Sequence, residues 1–260
     1  MENFIREYKI DTGICDDLIK YFHRNPEKQL IGQTAYGVNK QTKDSVDLYL
    51  DPEDDIFNEY VDHLKNCFDS YQEDFPLILK QLPSWGISEP IILQWYKPGQ
   101  GYHAWHSERG GTPDPEIQRR FLVWITYLND APNAGTAFKY FPELKVEAVK
   151  GKTIVWPVDW MYTHKGIKSC VVNKYIATGW MSFVTQEQIN TELRLKSPTT
   201  DIKKDESEDF IDKSMNIEKD GLGELGDESS EVQENYEWPF PAKGEYKIED
   251  RFNSDMSKYS

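Results

Sequence analysis

The sequence predicts an α+β protein: supporting helices first, an antiparallel sandwich or barrel second, and an acidic, largely irregular tail last. Three observations predict it. Two early segments carry apolar residues at helical spacing. After Pro90 the texture changes to short runs rich in β-branched and aromatic residues, with no helical period between them. From about Ser197 the chain turns polar and loses any period that could cover a core.

The first helix is expected over Asp11 to Asn25, where Ile14, Leu18 and Phe22 recur every four positions after the capping-type pair Asp11-Thr12. The second is expected from about Pro52 to Glu73, with Ile56, Tyr60, Leu64, Cys67, Phe68 and Tyr71 on one face. Pro52 stands near its first turn, and the acids around it suit the positive end of the helix dipole. Pro76 and Pro83 close this region. The strand candidates IILQWY, RFLVWITYL, KTIVWP and SCVVNKYIATGWMSF follow, separated by Gly, Pro, Asn and Asp. One domain is therefore expected over 1–190, helical over 1–85 and sheet over 86–190, with a flexible tail over 191–260. Within that tail Tyr236 to Phe252 crowds aromatics and prolines, as a sticky loop or a segment that docks on the body or a partner.

The formal charge is −15, but Ser197 to Ser260 holds 18 acids against 8 bases, so the body is close to neutral. A body without a basic stripe argues against phosphate-driven nucleic-acid binding as the main task. The N-terminus lacks a secretory pattern, and the longest apolar stretch, Phe121 to Leu128, is too short to span a bilayer. A soluble cytoplasmic protein with no membrane partner is expected. Cys15, Cys67 and Cys170 are odd in number and form no CxxC pair, which suggests free thiols rather than disulfides or structural zinc. The oligomeric state is left open.

Five histidines can be argued one by one. His23 and His63 fall within the two helices and read as structural. His106 and Glu108 are two apart, so on an extended strand both side chains leave one face while His103 leaves the other. His164, beside a later strand candidate, can complete a two-histidine, one-carboxylate triad, which leaves adjacent coordination positions open in non-haem Fe(II) oxygenases. An HxE pair by itself is weak evidence, since such pairs arise by chance as two polar residues on a solvated strand face.

More of the chain matches. The stretch YKPGQGYHAWHSE from Tyr96 to Glu108 is followed by ITYLND from Ile125 to Asp130 and AGTAF from Ala134 to Phe138. VKGKTIVWP from Val149 to Pro157 and HKGIKSCVVNKY from His164 to Tyr175 come next. In this order the motifs resemble the prolyl 4-hydroxylase family of 2-oxoglutarate/Fe(II) dioxygenases, which shows YxPG before HxD, then YLN, a GGxTxF turn, a Pro/Gly-containing strand, and a distal His followed about ten residues later by Lys or Arg. The resemblance spans about Asp11 to Phe183 and includes Cys15 and the KDS run at Lys43 to Ser45. Three departures stand out: Glu108 replaces the usual Asp, Lys168-Ser169 replaces the usual Pro-Val, and the turn at Ala134-Gly135-Thr136 is short.

The resemblance implies a double-stranded β-helix, or jelly roll, packed on the N-terminal helices. It implies Fe(II) on His106, Glu108 and His164, 2-oxoglutarate and O2 as cosubstrates, and ascorbate as a possible reductant. The far carboxylate of 2-oxoglutarate needs a buried cation and a hydrogen-bond donor. Lys174 matches the cation and Tyr127 the donor, while Tyr96 matches a pocket tyrosine nearer the metal and Arg120 a residue facing the substrate entrance. The expected reaction is hydroxylation of a C–H bond with release of succinate and CO2. The acceptor is expected to be a protein side chain such as peptidyl proline; the alternatives are a small metabolite or nucleobase, or a jelly-roll module that binds without catalysis.

Overall fold

The computed structural model describes residues 3–184 apart from residue 112. In chain order the elements are β1 (Arg6–Lys9), α1 (Thr12–Arg24), β2 (Leu30–Ile31), β3 (Val46–Tyr49), α2 (Asp55–Asp74), α3 (Leu77–Gln81), β4 (Trp85–Ile87) and β5 (Ile92–Tyr96). They continue with α4 (Pro115–Gln118), β6 (Arg120–Tyr127), β7 (Ala131–Phe138), β8 (Phe141–Ala148), β9 (Lys152–Pro157), β10 (His164–Ile167) and β11 (Lys174–Phe183). The strands form two antiparallel sheets. The larger runs β1-β9-β6-β11-β5-β3-β2 with β4 also on β11, and the smaller runs β10-β7-β8.

Helix α1 begins where its sequence signals place it: the Asp11 carboxylate accepts from the Gly13 amide at 2.6 Å, satisfying one of the orphan donors of the first turn. Ile14, Leu18 and Phe22 are buried together with Cys15. Helix α2 starts at Asp55, later than the expected start near Pro52. Asp51 takes the Glu53 amide on its side chain and the Asp54 amide on its carbonyl, so Pro52 belongs to a turn before the helix. Phe57 and Val61 join Tyr60, Leu64, Cys67, Phe68 and Tyr71 on the buried face, while Ile56 is only partly covered.

Both helices cover one face of the large sheet. Leu48, Leu93, Leu122, Trp124, Val155, Ala177 and Met181 point into this layer, and Tyr60 ties α2 to β6 by donating to Thr126 Oγ1 at 2.7 Å and accepting from Trp124 Nε1 at 3.2 Å. Each fully buried Leu or Phe here contributes roughly 1.5–3 kcal/mol of transfer free energy. On the opposite face Tyr96, Val123, Tyr127, Ile154, Trp156 and Ile176 meet Phe138 and Val146 of the small sheet. The result is three layers: helices, large sheet, small sheet.

The first 85 residues are not purely helical, because β1, β2 and β3 lie among them and β4 starts at their end. β1 joins the sheet beside β9 and β3 beside β5. These strands have two to four residues, too few for a period-two pattern to stand out from loop sequence. Within the small sheet Gly135 is fixed by space: a Cβ there would lie 1.8 Å from the Val146 carbonyl oxygen, and its φ is +151°. Cys15, Cys67 and Cys170 are free thiols. Among the described residues no helix is long and apolar enough to cross a membrane. The boundary expected at 190, the tail over 191–260 and the segment Tyr236 to Phe252 lie outside the described residues.

Candidate active site

Strand period and register together lay out the floor of a cavity of about 860 Å³ between the two sheets. On β11 the alternate residues Lys174, Ile176, Thr178 and Trp180 face it. Pairing extends these into rows: Lys174 lies opposite Tyr96; Ile176 lies between Gln94 and Tyr127, with Asp47 beyond Gln94; Thr178 lies between Ile92 and Ile125, with Tyr49 beyond Ile92. The small sheet supplies Gly135, Thr136, His164 and Gly166 from the other side.

His106 stands on a short extended segment beside β10 and exchanges two backbone hydrogen bonds with His164: the His106 amide donates to the His164 carbonyl at 3.0 Å, and the His164 amide to that of His106 at 2.9 Å. This cross-strand pair brings the rings to 4.3 Å between centroids. Each Nδ1 lies 3.0 Å from a backbone carbonyl, of Ala104 for His106 and Tyr162 for His164. A proton on Nδ1 satisfies those carbonyls and leaves both Nε2 lone pairs for a ligand. Glu108 Oε1 is 3.1 Å from His164 Nε2 and 3.7 Å from His106 Nε2, and the ligand atoms of the three residues fall within 4.8 Å of one another. Tyr102 stacks flat on the His106 ring at 3.7 Å, and Trp156 stands edge-on to His164 at 5.0 Å.

The charge states suit cation binding. Burial, helped by His164 nearby, lowers the His106 pKa to about 4, so the ring is neutral near pH 7. For Glu108 burial opposes ionisation, but the hydrogen bond and charge of His164, then His106 and Arg120, outweigh it and hold the carboxyl well below the usual range. The neutral His106 ring, the ionised Glu108 carboxylate and the His164 imidazole beside them are a ready set of N and O donors for a divalent transition metal.

The rows above place the other predicted residues in the same cavity. Lys174 is 3% exposed, and its Nζ donates to the Ile167 carbonyl at 3.1 Å and lies 4.9 Å from the centre of the Tyr96 ring. Among the described residues no carboxylate pairs with it, and burial alone pushes its pKa down to about 8. Tyr127 shares a hydrogen bond of 2.7 Å with Thr136, and Tyr96 donates to Gln94 Oε1 at 2.6 Å. Arg120 lines the cavity but offers no free charge at an entrance. Its guanidinium grips Glu89 through two bonds of 2.7 and 2.6 Å and donates to the Glu108 carbonyl at 2.8 Å. His103 is not among the cavity-lining residues, and His23 contacts the Tyr175 hydroxyl on the helix side.

Several polar partners were not singled out by sequence reasoning. Trp180 donates from Nε1 to Glu108 Oε2 at 2.8 Å. Its signal was available, since it stands six residues after Lys174 on the same face of one strand. Tyr102, Glu89 and Asp47 come from loops and short strands whose register carries no such signal; Asp47 is the buried partner, at 2.5 Å, of Lys43 and also accepts from Ser45, the two ends of the KDS run.

No protein-family model and no curated protein sequence matches the chain. Solved structures do. The chain is similar to a Pseudomonas putida prolyl-4-hydroxylase at 15% identity and a TM-score of 0.52, over 70% of this chain and 94% of that one. It is similar to the viral collagen prolyl hydroxylase of Paramecium Bursaria Chlorella virus-1, in a 2OG complex, at 18% and 0.53, over 70% and 97%. A Trichoplax adhaerens prolyl hydroxylase in complex with a hypoxia inducible factor oxygen degradation domain peptide fragment matches at 15% and 0.53, over 75% and 88%. The chain therefore has a prolyl hydroxylase-like fold.

Proposed function

We propose that this prolyl hydroxylase-like fold houses a 2-oxoglutarate- and Fe(II)-dependent dioxygenase that hydroxylates a C–H bond of a peptide side chain such as proline. The observation that carries it is the pairing, in one cavity, of the His106–Glu108–His164 cluster with an ionisable lysine, Lys174, that is buried without a carboxylate partner among the described residues. A charge in that position destabilises a protein unless an anion answers it. In this reading His106, Glu108 and His164 hold Fe(II), Lys174 binds the far carboxylate of 2-oxoglutarate, Tyr127 supplies a hydroxyl at the same end, and Tyr96 packs against the lysine. Bound there, Fe(II) and 2-oxoglutarate supply the oxidation of the acceptor by O2, with succinate and CO2 as coproducts and ascorbate as a reductant for the iron. The protein positions the acceptor C–H bond and excludes bulk water.

The two sheets, with the cavity between them, are read as the walls of a double-stranded β-helix. The domain is assigned to 1–190 and the tail to 191–260, in keeping with every proposed site residue preceding Val184. A peptide acceptor is supported by the peptide complex of the Trichoplax relative. The test is mass spectrometry of proline-containing peptides incubated with the enzyme, Fe(II) and 2-oxoglutarate under ¹⁸O2. We expect a gain of one labelled oxygen that depends on 2-oxoglutarate. Labelling confined to small molecules would replace the peptide acceptor, and no labelling of any acceptor would count against hydroxylation.

A further inference from the structure

We infer that Trp180 is a positioning residue that converts Glu108 into a one-oxygen ligand and so accommodates a carboxylate one methylene longer than the Asp of the HxD motif. The inference rests on the metal reading above. The two oxygens of Glu108 have different partners. Oε1 faces both histidine Nε2 atoms, at 3.1 and 3.7 Å, whereas Oε2 accepts the Trp180 indole N–H at 2.8 Å. A free glutamate has one more rotatable bond than aspartate and can turn either oxygen, or both, toward a cation. The indole removes that freedom.

The donor is itself held. The Arg120 guanidinium lies over the Trp180 ring at 3.6 Å from its centre, a cation–π contact that fixes the indole and strengthens its N–H as a donor. Arg120 in turn is locked by its two bonds to Glu89 and by the bond to the Glu108 carbonyl. Glu89, Arg120, Trp180 and Glu108 thus form one chain of contacts that fixes the glutamate at its backbone and at its far oxygen. Glu108→Asp shortens the side chain by one carbon, about 1.5 Å, so that the shorter carboxylate cannot reach the indole while its other oxygen serves the metal.

The test is a double-mutant cycle on equilibrium Mn(II) binding, read from the electron paramagnetic resonance signal of free Mn(II), with wild type, Trp180→Phe, Glu108→Asp and the double variant. Phenylalanine keeps a ring under Arg120 and removes the donor, together with part of the indole's volume; the same substitution in the Glu108→Asp background, which shares that loss of volume, separates the two effects. We expect Trp180→Phe to weaken Mn(II) binding roughly ten-fold or more, the scale of lost outer-shell hydrogen bonds, and to add nothing in the Glu108→Asp background. Equal weakening in both backgrounds, or none in the first, overturns the inference while leaving the metal site standing. Failure of the wild type to bind Mn(II) overturns the metal reading and this one with it. A second measurement needs no substitution of Trp180. Among the eight tryptophans, one indole N–H proton resonance should move upfield and exchange faster with water in Glu108→Asp, and an unchanged indole spectrum contradicts the tether.

Discussion

Lys174 shows how a buried cation strains the protein that carries it. Its pKa, about 8 against an ordinary 10.5, means that the folded chain holds the proton less tightly than the unfolded chain does. The resulting penalty is present in full below about pH 8, shrinks as pH rises through the interval to 10.5, and vanishes above it. Its size is about 3 kcal/mol. Lys174→Met, which fills similar space without charge, should therefore raise the melting temperature of the ligand-free protein at pH 7 and abolish the further rise that 2-oxoglutarate gives the wild type. An unchanged 2-oxoglutarate shift in the variant would move the anion site elsewhere. At this scale the sequence was legible where chemistry is sparse. Three histidines in the strand-rich half leave few ways to build a triad, and Lys174 stands at the family's spacing from His164. Arg120 reads from the sequence as a charge facing the entrance, and the Glu89 that instead holds it in a buried clamp is 31 residues away.

At the scale of the element, β11 does most to build the site, since Lys174 and Trp180 project from one face while Tyr175, Ala177 and Met181 anchor the other against the helix layer. Between them Gly179 lets the fully buried Trp124 ring approach: a Cβ there would lie 2.5 Å from the indole. Gly179→Ala must displace a ring that has nowhere to go, so thermal unfolding should show a loss of roughly 1–3 kcal/mol together with weaker 2-oxoglutarate binding as the strand shifts. Full stability in the variant would show that the strand can slide at no cost. Elements were legible in proportion to their length. α1 keeps its predicted cap because Asp11 makes a local bond, and β6 and β11, buried on both faces, announce themselves as apolar runs. The start of α2 was misplaced because Asp51 draws the preceding residues into a turn, and the short strands β1 to β4 owe their existence to β9, β5 and β11 rather than to their own propensity.

For the whole molecule, the order of helices first and sheet second describes the sequence better than the structure. The early strands interleave with the helices because two helices laid on one face of a sheet leave its edges open, and β1 on one side and β3 with β2 on the other extend it. The layering has a functional consequence. The helices make one face of the large sheet a rigid support, so that the fold withstands the cost of carrying polar and charged side chains into a cavity on the opposite face. All seven residues expected from the sequence to serve the site meet in that one cavity, although they come from segments spread between Tyr96 and Lys174. The measurement that bears most directly on dioxygenase chemistry needs no knowledge of the acceptor: succinate formed from 2-oxoglutarate by the purified full chain with Fe(II), O2 and ascorbate. We expect slow succinate release that requires both Fe(II) and O2 and is lost in His106→Ala while circular dichroism stays unchanged. A folded wild type that binds Fe(II) but forms no succinate, or forms it equally well as His106→Ala, would contradict the assignment.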